Sequence, residues 1–465
     1  MTFLSYEHAL QLKEDLKGTR AEVLTYESEE YAKSIQRWSD TCEKEAGAIV
    51  RVTSTSEVSI VIKFARKHHV KFVVEAGGHS TTGASASHGG IVISMTTMRK
   101  VITDPASHTV GVQGGATWED VNKSAAPYGL AVVGPTADQT GVGGSTLGGG
   151  YGWLTGQYGL IIDQLLSVKM VLADGSIVEA SQESEADLFW AVRGAGQAFG
   201  VATEFVFRAH SIRPSMFGGT ISFTVDKLPQ VVRFAKQFHE RQDPRSGLLF
   251  GFRAHPSVQR TAVVVILFYC GTRAEGESFF EDLLSVDAAE RKIDMMSYAD
   301  IQGLCNIEPI SHGRKNIDGT AVSFPLPMER YLAIFDHFDH ILASYPEANS
   351  SEIMFELLPY AKAGAVPLDA TAATNRGPYY DVGLILCWSN PELDRRISTL
   401  KHGLVDNLTP EASARSEVYA ERHPNYAGHD VHASRLFRGN LDRLRALKKR
   451  YDPENIFRHW HDLLR

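Results

Sequence analysis

A chain of 465 residues exceeds what one ordinary core holds, so two domains of roughly 200 residues each are expected. Apolar residues make up 43% and charged residues 22%, the balance of a soluble globular protein. A net charge of −8 gives no electropositive footprint for nucleic acid or an anionic membrane surface, and no window approaches the ~18 uninterrupted apolar residues of a membrane span.

Cys42, Cys270, Cys305 and Cys387 are scattered without a C-x-x-C pair, which is neither a disulfide framework nor a zinc module and fits a reducing compartment. The N-terminus lacks a basic segment followed by an apolar run, and the last residues carry no targeting tripeptide. A cytoplasmic location is the expectation.

Residues 5–46 are polar and helix-favouring, with Leu10, Leu12 and Leu16 too sparse for a strong apolar stripe. Residues 48–52 read as a buried strand. Ser54, Thr55 and Ser56 then offer capping hydroxyls to a helix whose Val58, Ile60, Val61, Phe64 and Ala65 recur at helical spacing. His68 and His69 end it, and residues 72–74 form the next strand. This strand–helix–strand unit runs directly into Ala76-Gly77-Gly78-His79-Ser80-Thr81-Thr82-Gly83, where glycines permit positive φ and close backbone approach around one imidazole.

Short strands follow at 91–95 and 109–112, and a helix opens at the Thr117 hydroxyl. A second glycine region spans 141–152; so dense a glycine content predicts no helix or strand interior, only backbone lying against something. Strands at 165–172 and 176–180 flank Ala173-Asp174-Gly175, a hairpin turn. A short helix at 187–192 leads to a third glycine stretch, 193–200, and a strand at 201–207.

Beyond about residue 210 glycine clusters give way to strands (218–225, 248–254, 261–269, 352–358, 380–388) alternating with amphipathic helices (229–242, 274–284, 328–345). That pattern predicts a sheet covered by helices on one face. A charged amphipathic helix at 440–457 is stopped by Tyr451-Asp452-Pro453. The first part reads as a cofactor cradle, the second as a lid or pocket floor.

Several chemistries are weighed against this layout. Gly141-Val142-Gly143 begins a dinucleotide fingerprint, and Asp163 lies 20 residues beyond Gly143, but Thr146 occupies the third glycine position and more glycine follows where a helix is required. Gly194-Ala195-Gly196 fails at Phe199. There is no G-K-[ST] phosphate loop, and Gly144-Ser145-Thr146-Leu147-Gly148 has the wrong spacing for a nucleophile elbow. His423, His429 and His432 cluster in sequence without H-E-x-x-H or paired carboxylates, so a solvated loop is favoured over a metal site and no metal is assigned. Taken alone, His79 reads as a loop histidine bonded to a carbonyl.

Taken together, Ala76-Gly77-Gly78-His79-Ser80, the 141–152 region, Gly159-Leu160-Ile161-Ile162-Asp163-Gln164-Leu165 with Ala173-Asp174-Gly175, the 193–203 stretch, and Asn425-Tyr426 with the 443–457 segment make the chain resemble the berberine-bridge-enzyme-like FAD-linked oxidases of the vanillyl-alcohol-oxidase superfamily. The resemblance runs over essentially the whole chain. It implies an α+β fold: a two-lobed PCMH-type FAD-binding domain (1–208, completed by 425–465) and an antiparallel-sheet substrate domain covered by helices (209–424).

The same resemblance implies that His79 is bonded covalently to the flavin's 8-methyl carbon, which raises the flavin's reduction potential. It further implies cofactor contacts from Ala76, Gly77, Gly78, Ser80, Thr81 and Gly83; from Thr136, Gly141, Gly143, Gly144, Ser145, Gly148, Gly149, Tyr151 and Gly152; and from Gly200, Val201 and Asn425. Many members add a second bond from a cysteine preceding Pro-Thr. Here Gly134 precedes Pro135-Thr136, and no cysteine lies between Cys42 and Cys270, so a single bond through His79 is predicted. Glu75 stands where arginine is common.

The implied mechanism is hydride transfer to flavin N5 with a base taking a substrate proton, after which dioxygen reoxidises the flavin. Tyr426 matches the family's active-site tyrosine and is the first choice of base; Asp381, at the position of a glutamate in some members, is the second, being shorter by one methylene. Each has a structural alternative, Tyr426 packing on the flavin and Asp381 a charge at a strand edge. The expected function is FAD-dependent oxidation of a small organic molecule of secondary metabolism, with dioxygen as co-substrate. A dehydrogenase using another acceptor, and a non-redox cyclase or isomerase on the same cradle, remain the alternatives.

Overall fold

The computed structural model describes residues 2–256, 258, 261–307, 313–408, 422–428 and 431–465. The apolar β-branched runs Ala48–Arg51, Ile91–Ser94 and Phe72–Glu75 pair in parallel, with Glu22–Leu24 antiparallel at the edge. Thr55–Lys67 makes the crossover between the first and last of these; the Ser54 hydroxyl accepts from the Glu57 amide at its start, and His69 leaves it with φ of 53°. Buried Val58, Val61, Phe64 and Ala65 turn its apolar face to the sheet.

A second, antiparallel sheet has the order Val101–Asp104, Thr109–Gln113, Val201–Arg208, Leu165–Val171, Ile177–Ser181. The last two strands form the expected hairpin, with Gly175 at φ of 80°. Thr117 and Asp120 satisfy each other's backbone in a capping box at the start of Trp118–Ala125.

The third sheet has seven antiparallel strands, in the order Glu290–Met296, Met216–Phe223, Thr261–Tyr269, Ser246–Ala254, Glu352–Leu357, Tyr380–Trp388, Arg314–Val322. Strand alternation sorts its faces. Phe250, Phe252, Ile353, Phe355, Val382 and Leu384 pack in one core with the helices Leu228–Arg241, Met328–Ser344 and Asp394–Leu408. Leu249, Ile266 and Met354 belong instead to the core that includes Trp118, Trp153 and Phe205. The sheet is therefore a partition, with its helices on one side and the second sheet's core on the other.

Sequence reading differs from this fold in particular places. Val142–Leu147 is helical despite its glycines, because Val142, Thr146 and Leu147 are buried and Ser145 accepts the Trp118 indole N–H at 2.8 Å. Tertiary packing overrides propensity there. The strands Glu290–Met296 and Arg314–Val322 carry no apolar alternation because both are polar: the first is an exposed edge, and the second buries Asp318 against Lys401 and Arg422 at 3.1 and 2.9 Å. No described helix is long and apolar enough to cross a membrane.

Candidate active site

The parallel strand Phe72–Glu75 delivers the first glycine loop to the second. A Cβ on Gly77 would lie 2.6 Å from the Gly141 backbone, and one on Gly141 would lie 2.6 Å from the Gly77 nitrogen. The loops touch main chain to main chain, which only glycine allows. Gly78 (φ of 68°) then turns the chain to present His79. The half-buried imidazole stacks on Trp38 with centroids 5.1 Å apart and planes 20° from parallel, and the Lys315 ammonium lies 5.2 Å from the Trp38 ring centre. Burial, with a smaller push from Lys315, lowers the imidazole's pKa to about 4, so it is neutral near pH 7.

The loop opens on a cavity of about 340 Å³ between the cradle and the third sheet. Ala76, Gly77, Gly78, His79, Ser80, Thr136, Gly141, Gly143, Gly144, Ser145, Tyr151, Gly200, Val201, Asn425 and Tyr426 line it. The other expected contacts lie behind that surface. The Thr81 hydroxyl accepts from the Ile317 amide at 3.0 Å; Gly83 (φ of 77°) turns beside Lys44. Gly148 leaves room for Asn425, whose amide donates to the Ser145 carbonyl at 3.0 Å, while Gly149 packs against Asn375 and Gly152 against the Gly134 carbonyl. Among the described residues no group of three or more His, Cys, Asp or Glu is placed to hold a metal ion. His423 is in the cavity wall, His432 caps the helix Ala433–Phe437, and His429 lies outside the described residues.

A fit to FAD can be tested on the cavity wall itself. A Cβ on Gly144 would meet nothing within 4 Å, so that backbone faces open space. The Trp38 Nε1, Ser85 Oγ, Gln139 Oε1 and His423 Nε2 atoms are buried, lack a partner among the described residues, and belong to residues of this wall. Buried polar atoms left unpaired are costly, and a ligand carrying both a ring system and hydrogen-bonding groups would satisfy them. The residues present fit FAD.

Across the cavity stands a cluster that composition and motifs did not reveal. Glu356, 7% exposed, accepts from the Tyr151 hydroxyl at 2.5 Å and from the Tyr426 hydroxyl at 3.1 Å, and the two hydroxyls are 3.3 Å apart. Asp381 is Glu356's direct cross-strand neighbour, which puts both carboxyl groups on one face. Gly319 makes the space for Tyr426: a Cβ there would lie 2.8 Å from its ring. Burial raises Glu356 to about 7, opposed by the two phenol hydrogen bonds. Burial and then the Glu356 charge raise Asp381 to about 8. Both phenols are pushed well above their usual value, burial first, so they hold their protons. His423, buried beside both tyrosine rings, is lowered to about 3 and is neutral. A signal for Glu356 did exist in the sequence, since the strand Glu352–Leu357 carries two carboxylates, Glu352 and Glu356, at the same period around Met354.

Three motif residues have structural partners. Glu75, where arginine is common in the family, pairs at 2.9 Å with Arg37, whose side chain is 1% exposed. Asp163 binds Arg376 through both oxygens, at 2.9 and 2.6 Å, and so is a strut between segments. Gly134 has Trp118 and Gln302 against it, with an added Cβ 2.8 Å from the indole. One thiol does line the cavity, Cys305, but its charged neighbours are Glu352, Glu356 and Arg253, on the wall opposite the glycine loops.

Comparison with known proteins agrees with this construction. Residues 46–181 match the family model described as "FAD binding domain", and residues 422–462 match "Berberine and berberine like". The FAD-linked oxidoreductase pgmH of Aspergillus terreus is 30% identical over 484 aligned positions, covering 99% of this chain and 96% of its own. The FAD-linked oxidoreductase hasG of Aspergillus fumigatus is 28% identical, covering 92% and 94%. In fold, 6-hydroxy-D-nicotine oxidase of Arthrobacter nicotinovorans superposes with a TM-score of 0.82 at 23% identity (96% and 98% covered), and Physcomitrella patens BBE-like 1 with 0.84 at 19% (97% and 98%). With glycine loops, cavity and C-terminal segment all accounted for, the chain belongs to the berberine-bridge-enzyme-like FAD-linked oxidoreductases.

Proposed function

We propose that this enzyme oxidises a small, largely apolar organic molecule of secondary metabolism, with FAD attached by one covalent bond to His79 and with dioxygen as the final acceptor. When bound, the flavin supplies the two-electron acceptor, taking a hydride and giving the electrons to dioxygen as peroxide. The chain's own residues would position the substrate, exclude water and take its proton.

Glu356 is the group best suited to take that proton. A carboxylate titrating near 7 is about half ionised at neutral pH, where proton transfer to it is both available and driven. Tyr151 and Tyr426 donate to its two oxygens and orient it. In this reading Tyr426, expected from the sequence to be the base, is a donor that tunes Glu356, because its own proton is held. Asp381, protonated near pH 7, keeps a second negative charge from building beside the first.

The neutral imidazole of His79 has a free electron pair for bonding carbon, and the Trp38 stack fixes its plane. The solved glucooligosaccharide oxidase of Acremonium strictum carries a 6-S-cysteinyl, 8α-N1-histidyl FAD. Here a side chain added at Gly134 would lie 2.8 Å from the Trp118 indole, which supports attachment through His79 alone. The observation that carries the proposal is the buried carboxylate held by two phenols on the cavity wall facing His79. Its test is the Glu356→Gln variant with a substrate found by anaerobic screening for flavin bleaching: bleaching should slow at least ~100-fold, and wild type in aerated buffer should release peroxide.

A further inference from the structure

Glycines interrupt several strands of the third sheet, and the fold accounts for all but one of them. Gly218, Gly219, Gly247, Gly251 and Gly319 would each put a Cβ 2.7 Å or less from backbone or a packed side chain. Gly383 is different. It sits in regular strand backbone without a positive φ, paired with Gly319 on one side and Met354 on the other. A Cβ added there would meet only Glu356 Oε1, at 3.1 Å, and nothing else within 4 Å. A glycine inside a strand weakens it by leaving nothing to pack, and where the backbone does not require it, it marks a close approach by another group.

The space above Gly383 faces the cavity. Val382 and Leu384 point into the helix-covered core, so Asp381, Gly383 and Ile385 share the opposite face. Met354 borders the space across one strand pair, and the Tyr426 ring fills the place of a side chain on Gly319 across the other. Glu356 closes one end and Ile385 the other, and all of these residues except Asp381 and Gly319 line the cavity. The Cα frame is about 13 Å along the strand and about 10 Å across it, which leaves room for one or two fused rings once the bordering side chains are in place. Its floor is bare peptide, its border is apolar on the Met354 and Ile385 sides, and Glu356 Oε1 stands at its edge. That oxygen accepts from Tyr426, and a carboxylate oxygen has a second lone pair for a ligand hydroxyl.

We propose that Gly383 determines specificity for a planar ring system, aromatic or conjugated, that lies flat on its backbone and carries a hydroxyl on the edge facing Glu356. The inference rests on the reading of Glu356 as the group that takes the substrate's proton. A puckered, saturated ring of the same skeleton would hold its axial hydrogens against the peptide and stand too high.

Calorimetric titration of the FAD-loaded enzyme with 2-naphthol and with trans-decahydro-2-naphthol tests it. Wild type should bind 2-naphthol at least ~10-fold tighter, and the single methyl group of Gly383→Ala should weaken 2-naphthol by at least ~10-fold. Gly383→Ala should melt no lower than wild type and keep its unliganded flavin spectrum, because alanine fits strand backbone and the methyl group enters empty space. Between pH 6 and pH 8 the affinity of wild type for 2-naphthol should rise as Glu356 ionises, and Glu356→Gln should remove that rise. Absence of a preference for 2-naphthol in wild type, or unchanged affinity in Gly383→Ala, would overturn the inference. So would an altered flavin spectrum in unliganded Gly383→Ala, which would assign the floor to the cofactor. If Gly383→Ala binds 2-naphthol as wild type does while Glu356→Gln flattens the pH dependence, only this inference falls. If the pH dependence survives in Glu356→Gln, the Glu356 reading falls and takes this inference with it.

Discussion

The Tyr426 hydroxyl donates to one oxygen of Glu356 at 3.1 Å while Tyr151 donates to the other, so a single carboxylate collects both phenol protons in the cavity. This arrangement separates the roles of the two residues by experiment. Glu356→Gln removes the proton acceptor and is expected to slow anaerobic flavin reduction about 10²–10⁴-fold. Tyr426→Phe removes one donor and is expected to cost only about 10-fold, because a carboxylate still held by Tyr151 remains. Stopped-flow reduction of both variants decides between them. A larger loss in Tyr426→Phe would return the base to the tyrosine.

The pH dependence follows from the same hydrogen bonds. The rate of flavin reduction should rise with pH through a midpoint near 7, where Glu356 ionises. Because donation from Tyr426 lowers the Glu356 pKa, Tyr426→Phe should shift that midpoint upward. Stability should respond in the opposite direction. Asp381 titrates near 3.8 when unfolded and near 8 when folded, so the native state binds the extra proton. Its contribution is fully present below pH 4 and is lost as pH rises through 8. Asp381→Asn should therefore melt roughly 1–2 °C above wild type at pH 9, with the gap closing at pH 5.

The readable parts of this molecule were the local ones. The Ser54 and Thr117 caps and the Asp174-Gly175 hairpin are decided by residues adjacent in sequence, and the glycine clusters at 76–83 and 141–152 are visible as clusters although their contact is long-range. Glu356 depends on strand register: its partners Tyr151, Asp381 and Tyr426 come from three distant segments, and no spacing in one sequence joins them. Arg37 was invisible for the same reason, since its partner Glu75 is read only as an anomaly until the fold brings a guanidinium to it. The helix Val142–Leu147 shows the converse, where glycine propensity pointed away from a structure that burial imposes.

Covalent attachment through His79 alone has a direct test. Acid-precipitated wild-type protein should stay yellow, and His79→Ala should release its flavin on precipitation. Gly134→Cys should not create a second bond. Its Cβ would lie 2.8 Å from the Trp118 ring, so the expected result is a drop in stability of about 1–3 kcal/mol with the mass and spectrum of a singly attached flavin. Peptide mapping of the flavin-bearing fragment distinguishes the cases, and a flavinylated cysteine peptide would refute the single-bond reading.

The C-terminal signature is held by one buried ion pair, and its failure should be felt at the cofactor. Lys448 and Asp452 are both fully buried, 2.7 Å apart and one helical turn removed from each other. The ammonium also donates to the carbonyls of Ala198 and Phe457, and the carboxylate accepts from the amides of Ile456 and Phe457. The pair thus pins the segment after the last helix to the third glycine stretch, next to Gly200 and Phe457 on the cavity wall. Asp452→Ala would leave an ammonium buried with carbonyls alone, at an expected cost of about 3–5 kcal/mol. Lys448→Met should cost less, because two backbone amides still satisfy Asp452. Thermal unfolding followed by flavin fluorescence should show Asp452→Ala losing the environment of its cofactor at the lower temperature. Equal effects of the two substitutions would mean that the amide bonds to Asp452 carry none of the load.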